Sequence, residues 1–416
     1  MKNFYILVII VTAMLPSLAF AFDMPAGLDS AVRAAWKNNP EIKASALKYR
    51  ALLYDADSEG SLSAGELSVG DTLIGEGATD SVMEFSQPLE INGSRGARRR
   101  AALSRAEEER ASLLLTVEDV SLSVTEAYWE LAKLDAEREL KKANVRYFSD
   151  LKKMIERQIE AGTLPGFHSL RADAALSSAK QELQSAELEY SSKKNEFFTI
   201  SGMAFELPND FSIYDFKPET LASLAPDMML VKNTHPMLMA PKFRAETAEK
   251  EIKAEKASMY PDVELIMRKE TFDDKGGAGL RARLPLFGWG KTSKKIKSLQ
   301  KIAESEREME RKAYMELECE LQNAVSAVLT YESIINEYDS KIIKNADELV
   351  RIVEKAYSKG ASGFLDLIDA KKSQTDAHLQ RASIASEYLK AFARLEKTYG
   401  IVSEEYSSYC AGGKNE

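Results

Sequence analysis

Apolar residues recur in alternating steps of four and three over 317–356. They are Leu317, Leu321, Ala324, Val328, Tyr331, Ile335, Tyr338, Ile342, Leu349, Ile352 and Ala356, with one gap at the polar Asn345. This heptad seam predicts a long coiled-coil helix. Leu113, Val117, Val120, Val124, Ala127, Leu131 and Leu134 show the same pattern in the first half of the chain. No Gly or Pro interrupts 97–161 or 291–359. At the helical rise per residue each long helix is about 100 Å in length, too long for a compact globule. Shorter helices are predicted over 28–58, 167–201, 229–259 and 364–400. In each half the two short helices together match the long one, so they are expected to stack end to end beside it. The chain turns at Gly162-Thr163-Leu164-Pro165-Gly166 and at Gly360-Ala361-Ser362-Gly363. Glycine is the expected residue just past a helix end.

Between short and long helices the period switches to two. Met83, Phe85, Leu89 and Ile91 alternate with Glu84, Ser86 and Glu90. Val263, Leu265 and Met267 alternate with Glu264 and Arg268, and Leu280, Ala282, Leu284 and Leu286 alternate with Arg281 and Arg283. A barrel with lipid outside and water inside alternates in this way, and so does an antiparallel sheet half-buried on a soluble core. A weaker strand is predicted over 62–74, where Asp71 falls on the apolar face. On the lumen face of a barrel Glu264 would be solvated and tolerant of change. Four strands cannot close a membrane barrel, which needs about eight, so strands that span a bilayer must be shared between subunits.

The order helix, strand, strand, long helix, turn, helix occurs twice. Asn39-Pro40 recurs as His235-Pro236, Gln87-Pro88-Leu89 as Leu284-Pro285-Leu286, Glu160-Ala161-Gly162 as Ser358-Lys359-Gly360, and Ile200-Ser201-Gly202 as Thr398-Tyr399-Gly400. The offsets run from 196 to 198. One unit of about 200 residues is duplicated, a period far longer than that of a solenoid. The repeats are read as 22–205 and 229–402, joined by a linker over 206–228 and followed by a tail over 403–416.

Lys2, an apolar stretch from Phe4 to Leu15 and the small-residue site Ala19-Phe20-Ala21 read as a signal peptide over 1–21. No other stretch is apolar and long enough for a transmembrane helix, so an exported chain that crosses a membrane does so as β-strands. Across 416 residues, 56 Lys and Arg stand against 65 Asp and Glu, a net charge of −9. That balance disfavours duplex nucleic acid as a partner.

Three His and two Cys leave little for a metal centre, and the chain lacks GxSxG, HExxH, a phosphate loop and CxxC. No catalytic residue, metal site or cofactor is expected. The Met-rich stretch around His235 has ligands suited to soft metals, but methionine at helical spacing reads first as core filler. Arg95, Arg98, Arg99 and Arg100 beside a strand end read as a solvated collar or a phosphate site. Nothing in the spacing of Cys319 and Cys410 demands a disulfide.

The duplication, the strand end Gln87-Pro88-Leu89-Glu90-Ile91-Asn92-Gly93 running into Ser94-Arg95-Gly96, and the hairpin from Gly360 to Asp366-Leu367-Ile368-Asp369-Ala370 resemble the TolC family of outer-membrane efflux proteins. The strand end is most similar to the heavy-metal, CzcC-like branch. The resemblance covers essentially the whole mature chain. It implies an α+β, mostly helical fold forming a homotrimer with a 12-stranded transmembrane β-barrel and a periplasmic α-helical barrel. It implies the exit duct of a tripartite efflux system in the outer membrane, conducting heavy-metal cations, drugs or secreted polypeptides. The partners implied are a periplasmic membrane-fusion adaptor, an inner-membrane pump of the resistance-nodulation-division type, and outer-membrane lipid. A periplasmic coiled-coil adaptor is the alternative from another class; it would show one hairpin rather than two related ones.

Asp366 and Asp369 lie three apart on one helical face. The resemblance places them at the periplasmic entrance, where three copies give up to six carboxylates that repel, raise one another's pKa and attract cations. The plainer reading is a solvated helix start, where acids favour the helix dipole. The corresponding residues of the first repeat, His168 and Arg171, are not acidic. Gly162, Thr163, Leu164, Gly360, Ala361 and Ser362 resemble the family's adaptor-contacting tips.

Overall fold

A computed structural model describes residues 26–74, 78–202, 213–214, 216–218, 228–231, 235–270, 276–283 and 290–412. The segment read as a signal peptide, the strand end at Leu284 and Leu286, and most of the linker lie outside the described residues. In chain order the elements are α1 (Ala26–Asn38), α2 (Pro40–Gly60), β1 (Glu66–Ile74), β2 (Ala78–Pro88), α3 (Ser94–Glu160), α4 (Phe167–Ser201), α5 (Met228–Val231), α6 (Pro236–Ala257), β3 (Asp262–Glu270), β4 (Gly276–Arg283), α7 (Lys291–Glu337), a π-turn (Tyr338–Ile342), α8 (Ile343–Ser358), α9 (Phe364–Tyr399) and α10 (Ile401–Gly412). The fold is mostly helical with few strands, as the periodicity predicts. The expected tail is largely helical, because α10 runs from Ile401 to Gly412.

The duplication is written into the backbone. Six described glycines have positive φ, and they form three pairs at the repeat offset: Gly93 with Gly290, Gly162 with Gly360, and Gly202 with Gly400. Each pair marks the same event, a long helix beginning, a long helix ending, or a short helix ending. At the two tips no atom lies within 4 Å of a Cβ built on Gly162 or Gly360. Backbone conformation, not space, requires glycine there.

The chain forms two compact units. One contains 120–224 and 324–395 with the N-terminal residues to Asn39. Within it, Leu151, Ile155 and Ala172 of the first hairpin pack on Phe364 and Leu367 of the second. The Asn144 amide donates to the Thr375 hydroxyl at 3.0 Å in the same buried region. Arg381 is buried, pairs with Asp339 at 2.9 Å, and donates to the carbonyls of Ile213 and Phe216.

The long-helix seam follows prediction to Ile335 and then slips. Leu317, Leu321, Val328 and Ile335 are buried, but Ile342, Leu349 and Ile352 are exposed. Val350 is buried and Ile343, Ala346, Val353 and Tyr357 are half-buried. The π-turn Tyr338–Ile342 inserts one extra residue into the helical turn, so every later core position moves forward by one. The polar gap at Asn345 disappears, since Ala346 holds that position.

The second unit contains 40–119, 225–323 and 396–416. Its core includes Val231, Leu238, Ala313 and Leu317, with Met228 and Met237 packed against them. Those methionines are core filler. Cys319 and Cys410 are both free and exposed. The four strands form one antiparallel sheet in the order β1-β2-β3-β4. Strand β2 ends at Pro88, earlier than the alternation to Ile91 suggests. Glu90 turns the chain with φ of +46°, and its buried carboxylate accepts hydrogen bonds from Ser63 and Arg98. Burial opposes its ionisation, but those hydrogen bonds prevail and hold the Glu90 carboxyl below the usual range.

Candidate functional site

The register sorts the strand residues into two faces. Leu67 lies opposite Phe85, Val69 opposite Met83, Phe85 opposite Met267, and Leu265 opposite Leu280. This face is apolar yet exposed: Leu67 is 64% accessible, Val69 66% and Leu280 71%. A soluble sheet would bury such a face against its own core. Lys269 opposite Met83 and Gln87 opposite Leu265 also lie on this face, as does Asp71, which faces Ser81, whose hydroxyl donates to its carboxylate at 2.7 Å.

The other face carries charge in pairs. Arg281 meets Glu84 at 2.7 Å and Glu264 at 3.8 Å, and Arg283 also pairs with Glu264. Arg268 meets Glu270 at 3.0 Å. Glu264 is not the solvated residue that the sequence suggests. It is 3% exposed, enclosed by the two arginines and the sheet. Strands β1 and β4 are the edges of the sheet. Among the described residues no helix is long and apolar enough to cross a membrane.

The hairpin tips are near copies of one another. In the first, Thr163 N–H donates to Gln158 O and Gly162 N–H to Ile159 O, both at 2.9 Å. In the second, Ala361 N–H donates to Ala356 O at 2.8 Å and Gly360 N–H to Tyr357 O at 3.0 Å. This is the Schellman arrangement, closing the free carbonyls of a helix end. Thr163 and Ala361 are exposed, while Leu164 and Ser362 are half-buried.

Beyond the second tip, Asp366 and Asp369 are both exposed, on the helical face opposite the buried Phe364, Leu367 and Ala370. The Asp366 carboxylate accepts from Ser362 Oγ and from the Gly363 N–H, each at 2.8 Å. It therefore caps the start of α9 in the manner of a capping box. The hydrogen bonds from Ser362 and then Gly363 hold its carboxyl below the usual range. In the first repeat His168 stacks on Phe167 at 4.2 Å, and Arg171 lies 5.2 Å from the same ring.

Motif reading missed a buried polar group in the second unit. His235 caps α6, with Nδ1 accepting from Met237 N–H at 3.2 Å and Nε2 contacting Lys397 O at 3.3 Å. Asn39, its counterpart in the first repeat, likewise reaches Ile200 O at 3.3 Å. Both His235 nitrogens are thus engaged, and burial pushes its pKa down to about 4. Glu118 is wholly buried, its Oε2 4.0 Å from His235 Nε2, and neither carboxylate oxygen has a hydrogen-bond partner. The Ser403 hydroxyl beside it donates instead to Gly400 O. Burial pushes the Glu118 carboxyl up to about 8 against the pull of the Lys397 charge. Nothing in its spacing distinguishes it from a solvated glutamate.

Known proteins match this duplicated architecture. A family model for the outer membrane efflux protein matches residues 31–203 and again 229–400. The toluene efflux pump outer membrane protein TtgF of Pseudomonas putida is 22% identical over 338 residues, 77% of this chain and 69% of that protein. The outer membrane protein VceC from Vibrio cholerae superposes with a TM-score of 0.72 at 18% identity, covering 90% of this chain and 96% of that one. The MtrE outer membrane channel of Neisseria gonorrhoeae gives 0.74 at 18% identity, covering 90% and 89%. One family model matched once per repeat, over both hairpins and all four described strands, shows that the chain belongs to the outer membrane efflux protein family.

Proposed function

We propose that the chain is the outer-membrane exit duct of a tripartite efflux system. Its work is conduction, not catalysis. The observation that carries this reading is the sheet: an exposed apolar face, an ion-paired charged face and two open edges. An apolar face needs lipid, a charged face needs water, and open edges need further strands. Three copies would supply twelve strands and close the barrel. The hairpin tips, with Gly162, Thr163, Leu164, Gly360, Ala361 and Ser362, are the contacts for a periplasmic membrane-fusion adaptor, which docks an inner-membrane pump of the resistance-nodulation-division type. Asp366 and Asp369 line the periplasmic entrance, where three copies concentrate cations.

The cargo we propose is heavy-metal cations, supported by the strand-end sequence from Gln87 to Gly96. A second reading, small apolar organic compounds, is favoured by the relative named for toluene efflux. Deleting the gene separates the two: the cell loses tolerance to cobalt, zinc and cadmium in the first case and to aromatic solvents in the second. The duct itself is tested by purifying the protein from outer membranes and recording planar-bilayer conductance. A trimer with cation-selective conductance that weakens in the Asp366→Asn/Asp369→Asn protein is expected. A water-soluble monomer without conductance overturns the duct, and unchanged selectivity overturns the entrance assignment.

A further inference from the structure

Both long helices begin with basic residues and no acid in the first turn. Helix α3 opens with Arg95, Arg98, Arg99 and Arg100, and α7 with Lys291, Lys294, Lys295 and Lys297. The helix dipole already places partial positive charge at these ends, so eight cations there oppose the helices that carry them. The two starts correspond: Arg98 and Arg100 match Lys295 and Lys297 at the offset of 197 that relates Gly93 to Gly290. The residue type changes between repeats, while charge and place do not.

Neighbouring acids account for part of this charge. Glu59 and Glu90 take Arg98, at 2.9 and 2.6 Å, and Asp57 takes Arg99 at 3.0 Å. Arg100, Lys291, Lys294, Lys295 and Lys297 are exposed and have no ion pair among the described residues. The two helix starts also come together in space. Ser94 and Arg98 of α3 and Lys295 and Leu299 of α7 line one cavity of about 320 Å³, whose acids Glu59 and Glu251 pair with Arg98 and Arg105 while Lys295 has no ion pair among the described residues.

We infer that these two basic helix starts form a binding surface for anionic phospholipid headgroups. The inference rests on the sheet lying in the membrane, as proposed above. Strand β2 ends at Pro88 and β4 at Arg283, just before the basic turns of α3 and α7. Along the chain, the strands that carry the exposed apolar face are each followed within eight to twelve residues by unpaired cations, Arg100 after β2 and Lys291 after β4. Acyl chains fit the first surface and phosphate the second, and long basic side chains suit that boundary because their stems lie along apolar surface while their heads reach the headgroups.

The test uses the detergent-purified full-length protein, equilibrated in mixed micelles with equal phosphatidylglycerol and phosphatidylcholine. Bound lipid is counted by mass spectrometry. Phosphatidylglycerol should be retained in excess, and the excess should fall as salt is raised. Lys294→Gln/Lys295→Gln/Lys297→Gln should reduce the excess by about two orders of magnitude, at roughly fivefold per surface cation. The matching arginine variant should keep it. Equal retention of the two lipids by the wild type overturns the inference, whether or not the glutamine variant can be purified. An excess unchanged in a folded glutamine variant also overturns it. Displacement of phosphatidylglycerol by inorganic phosphate at an ionic strength where sodium chloride leaves it bound would identify a free-anion site and overturn the lipid assignment. Planar-bilayer conductance of the same variants separates this failure from failure of the duct: lost lipid preference with normal conductance leaves the duct intact.

Discussion

Replacing Glu118 with Gln should stabilise the protein, and by an amount that depends on pH. The carboxyl is wholly enclosed, with His235 Nε2 at 4.0 Å, the Ser403 hydroxyl committed to Gly400 O, and Lys397 drawn to Asp119 at 2.6 Å. Its pKa rises from 4.5 to about 8 on folding, because burial penalises the charged form, with the Asp119 charge adding to the rise. The folded state therefore holds a proton that the unfolded chain releases. Stability linked to this group is fully present below the unfolded value of 4.5 and is lost as pH rises through the folded value of about 8. At 1.36 kcal/mol per pH unit the loss is about 3 kcal/mol by pH 7. Glutamine has nearly the same shape, is neutral, and leaves an unpartnered polar group in the same place. The variant should thus match the wild type near pH 4.5 and exceed it by about 3 kcal/mol at pH 7. Thermal unfolding of the detergent-solubilised protein between pH 5 and 8 measures the difference. His235, with its pKa pushed down to about 4, stays neutral in both folded proteins across that window. A variant less stable than the wild type at every pH, with no trend, would mean that Glu118 is ionised in the fold, and would refute the reasoning.

Leu280→Arg places charge on the exposed apolar face opposite Leu265, close to the strand ends at Pro88 and Arg283, and should cost about 1 kcal/mol per subunit, read as less protein in the outer-membrane fraction. Gly360→Ala meets no atom but must adopt φ of +73°, so about 1 kcal/mol of local stability should be lost, seen as faster hydrogen exchange at the second tip. Arg381→Gln removes the donors to the buried Ile213 O and Phe216 O and the partner of the part-exposed Asp339, and should cost about 1–3 kcal/mol, measured as a lower unfolding temperature.

Much of this protein is legible in the chain because its signals are local and repeated. Periods of 3.5 and 2 set helices and strands apart, glycine marked the helix ends, and the offset of 196 to 198 exposed the duplication. The apolar and charged faces of the strands follow from alternation alone, since side chains of a strand point to opposite sides in turn. Tertiary structure decided what depends on distant partners. The π-turn at Tyr338–Ile342 brings Asp339 to Arg381, and the seam shifts from Leu349 and Ile352 to Val350 and Val353. A heptad count assumes a constant turn, so it cannot register one inserted residue. Asp366 reads as one of two free carboxylates until the turn folds Ser362 and Gly363 onto it. Glu118 and Glu264 read as ordinary charged positions, and only packing encloses one without a hydrogen-bond partner and the other between two arginines. Residue type fixes whether a side chain carries charge; the environment that sets the energy of that charge is built by segments far apart in the chain.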